Sequence, residues 1–199
     1  MSIIFEKPKI SIFDISAFND TEFYEKVYRN VSNERKEKVN FFFFSKSKYL
    51  SLATGFLLER ELKNLGIKDY SLNYGEFDKP YLVGIDNLYF NLSHSGQYAI
   101  CAFYNSEIGI DIEQIVNISE PLIREVTTLS EYNFLINLDK TAQKENFFRL
   151  WTAKESYMKY TGKGLSISPK KLEINFASPL TIKYDGSIVP VLFQEYIVT

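Results

Sequence analysis

The 199-residue sequence predicts an α+β fold made of two similar halves, 1–104 and 105–199. Three observations predict it. Helix signals followed by strand signals occur twice, once before and once after about residue 104. Each half contains one long helical segment, about 32–64 and 142–161, stopped by Gly66 and by Gly162 with Gly164. No Pro/Ser-rich linker, low-complexity tract or short repeat interrupts the chain.

In chain order, residues 2–14 alternate well enough for a strand, and 20–31 suggest a short helix. Ser32 is an N-cap, and the charged run Arg35 to Lys38 fills the first turns of a helix reaching about Asn64. Phe41 to Phe44 is apolar all round and should be buried or aromatic-packed. Strands follow near 70–74, 80–83, 87–92 and 97–104. Residues 98–103 are continuously apolar and read as a buried strand, and Ser95-Gly96 marks a hairpin turn before it. An alternating acidic strand comes next at 108–113. Helices near 119–126, 130–137 and 142–161 precede strands near 171–176, 180–184 and 189–198.

Composition narrows the function classes. With 45% hydrophobic and 16% aromatic residues the chain can bury a substantial core. A net charge of −2 makes a nucleic-acid backbone an unsuited partner. No apolar run is long enough to span a bilayer and no signal-peptide pattern opens the chain, so a cytoplasmic protein without a membrane partner is expected. The single cysteine, Cys101, cannot form an internal disulfide and reads as core.

Two segments carry chemistry. In Ile108-Gly109-Ile110-Asp111-Ile112-Glu113 the isoleucines fall on one strand face and Gly109, Asp111 and Glu113 on the other. The acids then lie about 7 Å apart and can share a cation, while Gly109 lets something approach the backbone. In Trp151-Thr152-Ala153-Lys154-Glu155-Ser156-Tyr157-Met158-Lys159 the helical period puts Trp151, Glu155 and Lys159 on one face, flanked by Lys154 and Met158. Taken singly, each segment also fits a plainer description: a half-buried strand with a solvated acidic face, and a surface helix stripe. A third piece, Phe90-Asn91-Leu92-Ser93-His94-Ser95-Gly96, holds the only histidine.

In order and spacing, I-G-I-D-I-E, F-N-L-S-H-S-G and W-T-A-K-E-S-Y-M-K resemble the signature motifs of Sfp-type 4'-phosphopantetheinyl transferases. The resemblance covers about Glu34 to Ser168. It implies two α+β halves related by a pseudo-twofold axis, with coenzyme A bound in the cleft between them. It further implies Mg²⁺ bound by Asp111, Glu113 and Glu155, and Lys154 and Lys159 neutralising phosphate. Ser93 and His94 would contact the coenzyme's phosphates, and Arg35 and Lys38 its 3'-phosphate. Lys79-Pro80 matches a G-K-P segment near the nucleotide, with Asp78 where glycine is usual. The resemblance implies one more strand past the position of Thr199, so in the second half the counterpart of the return strand 98–104 is expected to be missing.

The implied activity is transfer of the phosphopantetheine arm of coenzyme A to a serine of an apo acyl or peptidyl carrier domain, with release of adenosine 3',5'-bisphosphate. Glu155 is the candidate base, directly or through a metal-bound water, and Lys159 the group on the leaving side. A monomer is the simplest assembly, because two fused halves already make a cleft. Two other classes use the same residues: a Mg²⁺-dependent nucleotide pyrophosphate hydrolase, and a non-catalytic module binding coenzyme A or carrier. No P-loop motif is present, which argues against a conventional nucleoside triphosphatase.

Overall fold

The first sheet is built around the apolar run that the sequence marks as buried. In the computed structural model, which describes residues 4–176 and 179–198, β1 (Lys9–Asp14), β4 (Tyr89–Ser95) and β5 (Tyr98–Tyr104) form an antiparallel sheet of order β1-β5-β4. Ala99 to Phe103 of the central β5 are all buried. Gly96, at φ 61°, turns β4 into β5. Ser2 and Ile3 of the expected first strand lie outside the described residues, and Phe5 to Pro8 join no ladder.

Of the helices α1 (Thr21–Asn30), α2 (Asn33–Phe41) and α3 (Ser45–Asn64), α3 lies on this sheet and the other two pack against α3. Asp20 caps α1 and Ser32 caps α2, each accepting from a backbone amide three residues on. The long helix expected from Ser32 to Asn64 is thus two helices, broken at Phe42–Phe44, where Phe42 and Phe44 have extended backbones. The reason is tertiary. In a straight helix Arg35 and Ser51 would stand about 24 Å apart, whereas the break folds α2 back and brings Arg35 Nη1 within 3.2 Å of the Ser51 carbonyl. Of the two expected outcomes, burial or aromatic packing, the second holds: Phe41 is 87% exposed and Phe43 89%. Their rings pair with each other, Phe41 edge-on to Phe42 and Phe43 to Phe44. Gly66, at φ 81°, ends α3 with Ile67 N donating to the Leu62 carbonyl. A separate hairpin, β2 (Leu72–Tyr74) and β3 (Pro80–Leu82), follows. The first core gathers Phe18, Leu52, Leu57, Leu62, Phe90 and Phe103.

The second half has α4 (Glu120–Val126), α5 (Leu129–Ile136) and α6 (Lys140–Thr161), then β6 (Leu172–Asn175), β7 (Thr181–Tyr184) and β8 (Ser187–Ile188) in an antiparallel sheet of order β6-β7-β8. Gly162 caps α6 in the left-handed region, at φ 69°. Leu150, Met158, Leu172 and Ile182 form its core. Two expected strands are corrected. Residues 189–198 join no ladder: Pro190 has no N–H to give, and pairing stops at Ile188. Residues 108–113 join none either, because side chains hold them instead of a strand partner. Cys101 is fully buried, and burial pushes its thiol pKa up. Among the described residues no helix is long and apolar enough to cross a membrane.

Candidate active site

Strand period divides β4 into two working faces. Phe90 and Leu92 point into the first core. Asn91, Ser93 and Ser95 point the other way and receive the acidic segment. Asn91 Oδ1 accepts from Ile110 N at 3.0 Å, Ser93 Oγ donates to Asp111 Oδ1 at 2.7 Å, and Ser95 Oγ donates to Glu113 Oε2 at 2.8 Å. Ser95 Oγ also accepts from Gln114 N. The segment therefore runs beside β4 in the same direction, laced by three short polar side chains.

Helix α6 closes on the segment's other side. The opening at Gly109 is used by this helix: a Cβ there would overlap the Ser156 carbonyl oxygen and the backbone of Tyr160. That approach brings Lys159 Nζ to 2.6 Å from Asp111 Oδ1 and 2.8 Å from Ser93 Oγ. Glu155 stands one turn back. Burial raises its pKa; Lys159 opposes this, while the charges of Asp111 and Glu113 add to it. Glu113 is also raised, by burial first, against hydrogen bonds from Ser95 and Trp151. The three acids expected to meet are thus electrostatic neighbours around one lysine.

The fit to a divalent cation rests on Asp111. Its side chain is 3% exposed, and its Oδ2 is buried with no hydrogen-bond partner. An orphaned carboxylate oxygen beside two desolvated carboxylates suits a small hard cation that takes oxygen ligands. Among the described residues no three His, Cys, Asp or Glu side chains close tightly enough to hold an ion alone. Mg²⁺ tolerates this, because it usually keeps waters and substrate phosphate oxygens among its ligands.

A cavity of about 440 Å³ opens on the α2–α3 side, lined by Arg35, Lys38, Phe41, Phe42, Thr54 and His94 among others. Arg35 lies flat across α3 because Gly55 has no side chain; a Cβ there would overlap the guanidinium. Lys38 Nζ donates to Glu34 Oε1 at 2.8 Å and Tyr74 OH at 2.6 Å. Burial lowers the His94 pKa, and the positive charges of Lys159 and Arg35 lower it further, while Asp111 opposes them. His94 thus stands between the basic cavity and the acidic cluster.

One expected ligand contact is corrected, and two further expected ligand residues are found with protein partners. Lys154 is fully buried and its ammonium donates to the Val126 carbonyl, Glu131 Oε2 and the Pro169 carbonyl, so it cannot reach a phosphate. Lys79 donates to Glu107 Oε2, the Ile108 carbonyl and the Tyr160 carbonyl, which uses all three ammonium hydrogens. Ser93 is buried and serves Asp111. Pro80 opens β3 opposite Tyr74, the residue that holds Lys38. Residues missed from sequence are Asn91 and Ser95, legible from β4 alternation, and Glu131. The Thr128-x-x-Glu131 capping box marks Glu131 as a helix-start residue. Its other oxygen accepts from Ile174 N at 2.8 Å, tying α5 to β6.

Lys154→Met should destabilise the protein by about 3–5 kcal/mol, because it strands a buried carboxylate. Lys154→Met with Glu131→Leu should recover part of that. Urea midpoints of the two variants check it; equal midpoints for wild type and the single variant would refute it.

Residues 107–191 match the 4'-phosphopantetheinyl transferase superfamily. The chain is 34% identical over 140 residues to the 4'-phosphopantetheinyl transferase Sfp of Bacillus subtilis, covering 69% of this chain and 62% of that protein. It is 31% identical over 177 residues to the 4'-phosphopantetheinyl transferase gsp of Aneurinibacillus migulanus, covering 84% and 74%. Identity to the 4'-phosphopantetheinyl transferase HetI of Nostoc is 33% over 145 residues, covering 68% and 61%. The matched region spans 62% of the Bacillus protein's length, so a substantial part of that protein has no counterpart in the alignment. With the superfamily matched in the second half and relatives matched through both halves, the chain belongs to the Sfp-type 4'-phosphopantetheinyl transferase family.

Proposed function

We propose that this protein transfers the 4'-phosphopantetheine arm of coenzyme A to a serine hydroxyl of an apo acyl or peptidyl carrier domain. The serine oxygen forms a bond to the β-phosphorus, the bond to the bridging oxygen breaks, and adenosine 3',5'-bisphosphate leaves. The observation that carries this reading is the orphaned Asp111 Oδ2 beside Glu113, Glu155 and Lys159, joined through His94 to a cavity lined by Arg35 and Lys38.

Phosphoryl transfer needs positioning and charge neutralisation more than covalent help from the protein. Arg35, Lys38 and His94 would receive the 3'-phosphate and the diphosphate. Asp111, Glu113 and Glu155 would hold Mg²⁺, which when bound neutralises diphosphate charge. Ser93 orients Asp111. Lys159 balances charge on the leaving side. Glu155 takes the serine proton, and its raised pKa brings it nearer the range where a carboxylate is an effective base. A long helix with a three-stranded antiparallel sheet in each half supports a pseudo-twofold arrangement of 1–104 and 105–199.

The test is to incubate the protein with coenzyme A, Mg²⁺ and an apo carrier domain, then weigh the carrier. A mass gain equal to phosphopantetheine is expected. Adenosine bisphosphate released without carrier modification would select a hydrolase. Coenzyme binding without product would select a binding module.

A further inference from the structure

Lys79 belongs to the first half, yet its ammonium serves acceptors that all lie beyond it. The tight turn Gly75–Lys79 presents it: Gly75 N donates to the Lys79 carbonyl at 2.9 Å, and Asp78 takes φ 61°. From there Nζ reaches Glu107 Oε2 at 2.6 Å, the Ile108 carbonyl at 3.2 Å and the Tyr160 carbonyl at 2.9 Å. Tyr160 lies in the last turn of α6, where carbonyls lack helical partners and the helix end carries partial negative charge. The lysine stem also lies against the α6 cap, since a Cβ on Gly162 would meet Lys79 Cδ at 3.2 Å.

The two segments so joined are the two that make the site. Ile108 leads through Gly109, which packs on the α6 backbone, to Asp111. Tyr160 follows Lys159 directly. Asp111 and Lys159 form the 2.6 Å ion pair at the centre of the site. We infer that Lys79 is a positioning residue, an ammonium clamp that holds the acidic segment against the end of α6 and so sets the Asp111–Lys159 contact. Its importance for catalysis rests on the proposed transferase reading; the clamp itself does not.

Three measurements on Lys79→Met test this. Hydrogen exchange at amides 107–111 and 157–162 should quicken by about tenfold or more, as local opening becomes easier. Mn²⁺ affinity of the folded protein should fall about tenfold, the size of effect that supporting residues exert on metal sites. Coenzyme A affinity, measured without metal, should stay within about twofold of wild type, far from the tenfold that about 1.4 kcal/mol represents. Lys79→Arg should restore slow exchange in part. Should Lys79→Met not fold, Lys79→Gln, which keeps a donor for the carbonyls, gives the same readouts.

Unchanged exchange would overturn the clamp. So would a tenfold loss of coenzyme affinity with exchange intact, which would make Lys79 a ligand contact. A lower melting midpoint with unchanged Mn²⁺ affinity would reduce it to a merely structural lysine. If the wild type modifies no carrier but the exchange result holds, the transferase reading fails and the clamp stands.

Discussion

Glu155→Gln lowers turnover about a hundredfold or more while leaving coenzyme A affinity nearly unchanged. The substitution keeps shape and removes only the charge and the proton-accepting oxygen. Positioned acid–base groups contribute factors of about 10²–10⁴, and the same carboxylate is a proposed metal ligand. Arg35 and Lys38, the proposed basic contacts of the coenzyme, line a cavity whose walls do not include Glu155. Steady-state rates by carrier mass, with calorimetry for the coenzyme, separate the two effects. The variant should also gain stability in metal-free buffer at neutral pH. Burial raises the folded pKa of Glu155, so the folded protein holds that proton to higher pH than the unfolded chain. The resulting penalty is absent below the ordinary carboxylate pKa and grows as pH rises through the raised value. Glutamine never carries it. A variant that is slower and no less stable marks a group kept for chemistry; unchanged turnover would remove Glu155 from the mechanism.

Gly109→Ala should be nearly as costly to activity and far more costly to the fold. The new methyl would meet the Ser156 carbonyl and the Tyr160 amide, which are backbone atoms of a packed helix and cannot swing aside. Overpacking of this kind costs about 3 kcal/mol at the upper end of its usual range. Relief comes only by lifting the acidic segment, which parts Asp111 from Lys159. Gly75→Ala is the control: its Cβ would lie 3.7 Å from the Lys79 carbonyl, and the change should be within about 1 kcal/mol. Urea denaturation of both variants, with carrier modification assays, decides. Equal stability and activity for Gly109→Ala would mean that the close approach is not needed.

Much of this was legible in the sequence because local chemistry dictated it. Ser32, Gly66 and Gly162 mark helix ends through capping needs that do not depend on the rest of the fold. The apolar run 98–103 could only be buried. What was not legible came from long-range contacts. The break at Phe42 answers to Arg35 lying on Gly55. The acidic segment alternates like a strand, but side chains of β4 take the place of a ladder partner. Lys154 sits in a motif with charged neighbours, which hid its burial. One signal was there: Leu150, Lys154 and Met158 are four apart, so the lysine shares the helix face of two core residues. A cation on an apolar stripe needs a buried counter-charge, and Glu131 supplies it.

Cys101 has a practical corollary for handling the molecule. The thiol is sealed beneath the central strand and held in its protonated, unreactive form. A spectroscopic reporter can therefore be attached at a single introduced surface cysteine without first deleting the native one. The motions of the Phe42–Phe44 break or of the C-terminal end of α6 then become readable in an otherwise unaltered protein.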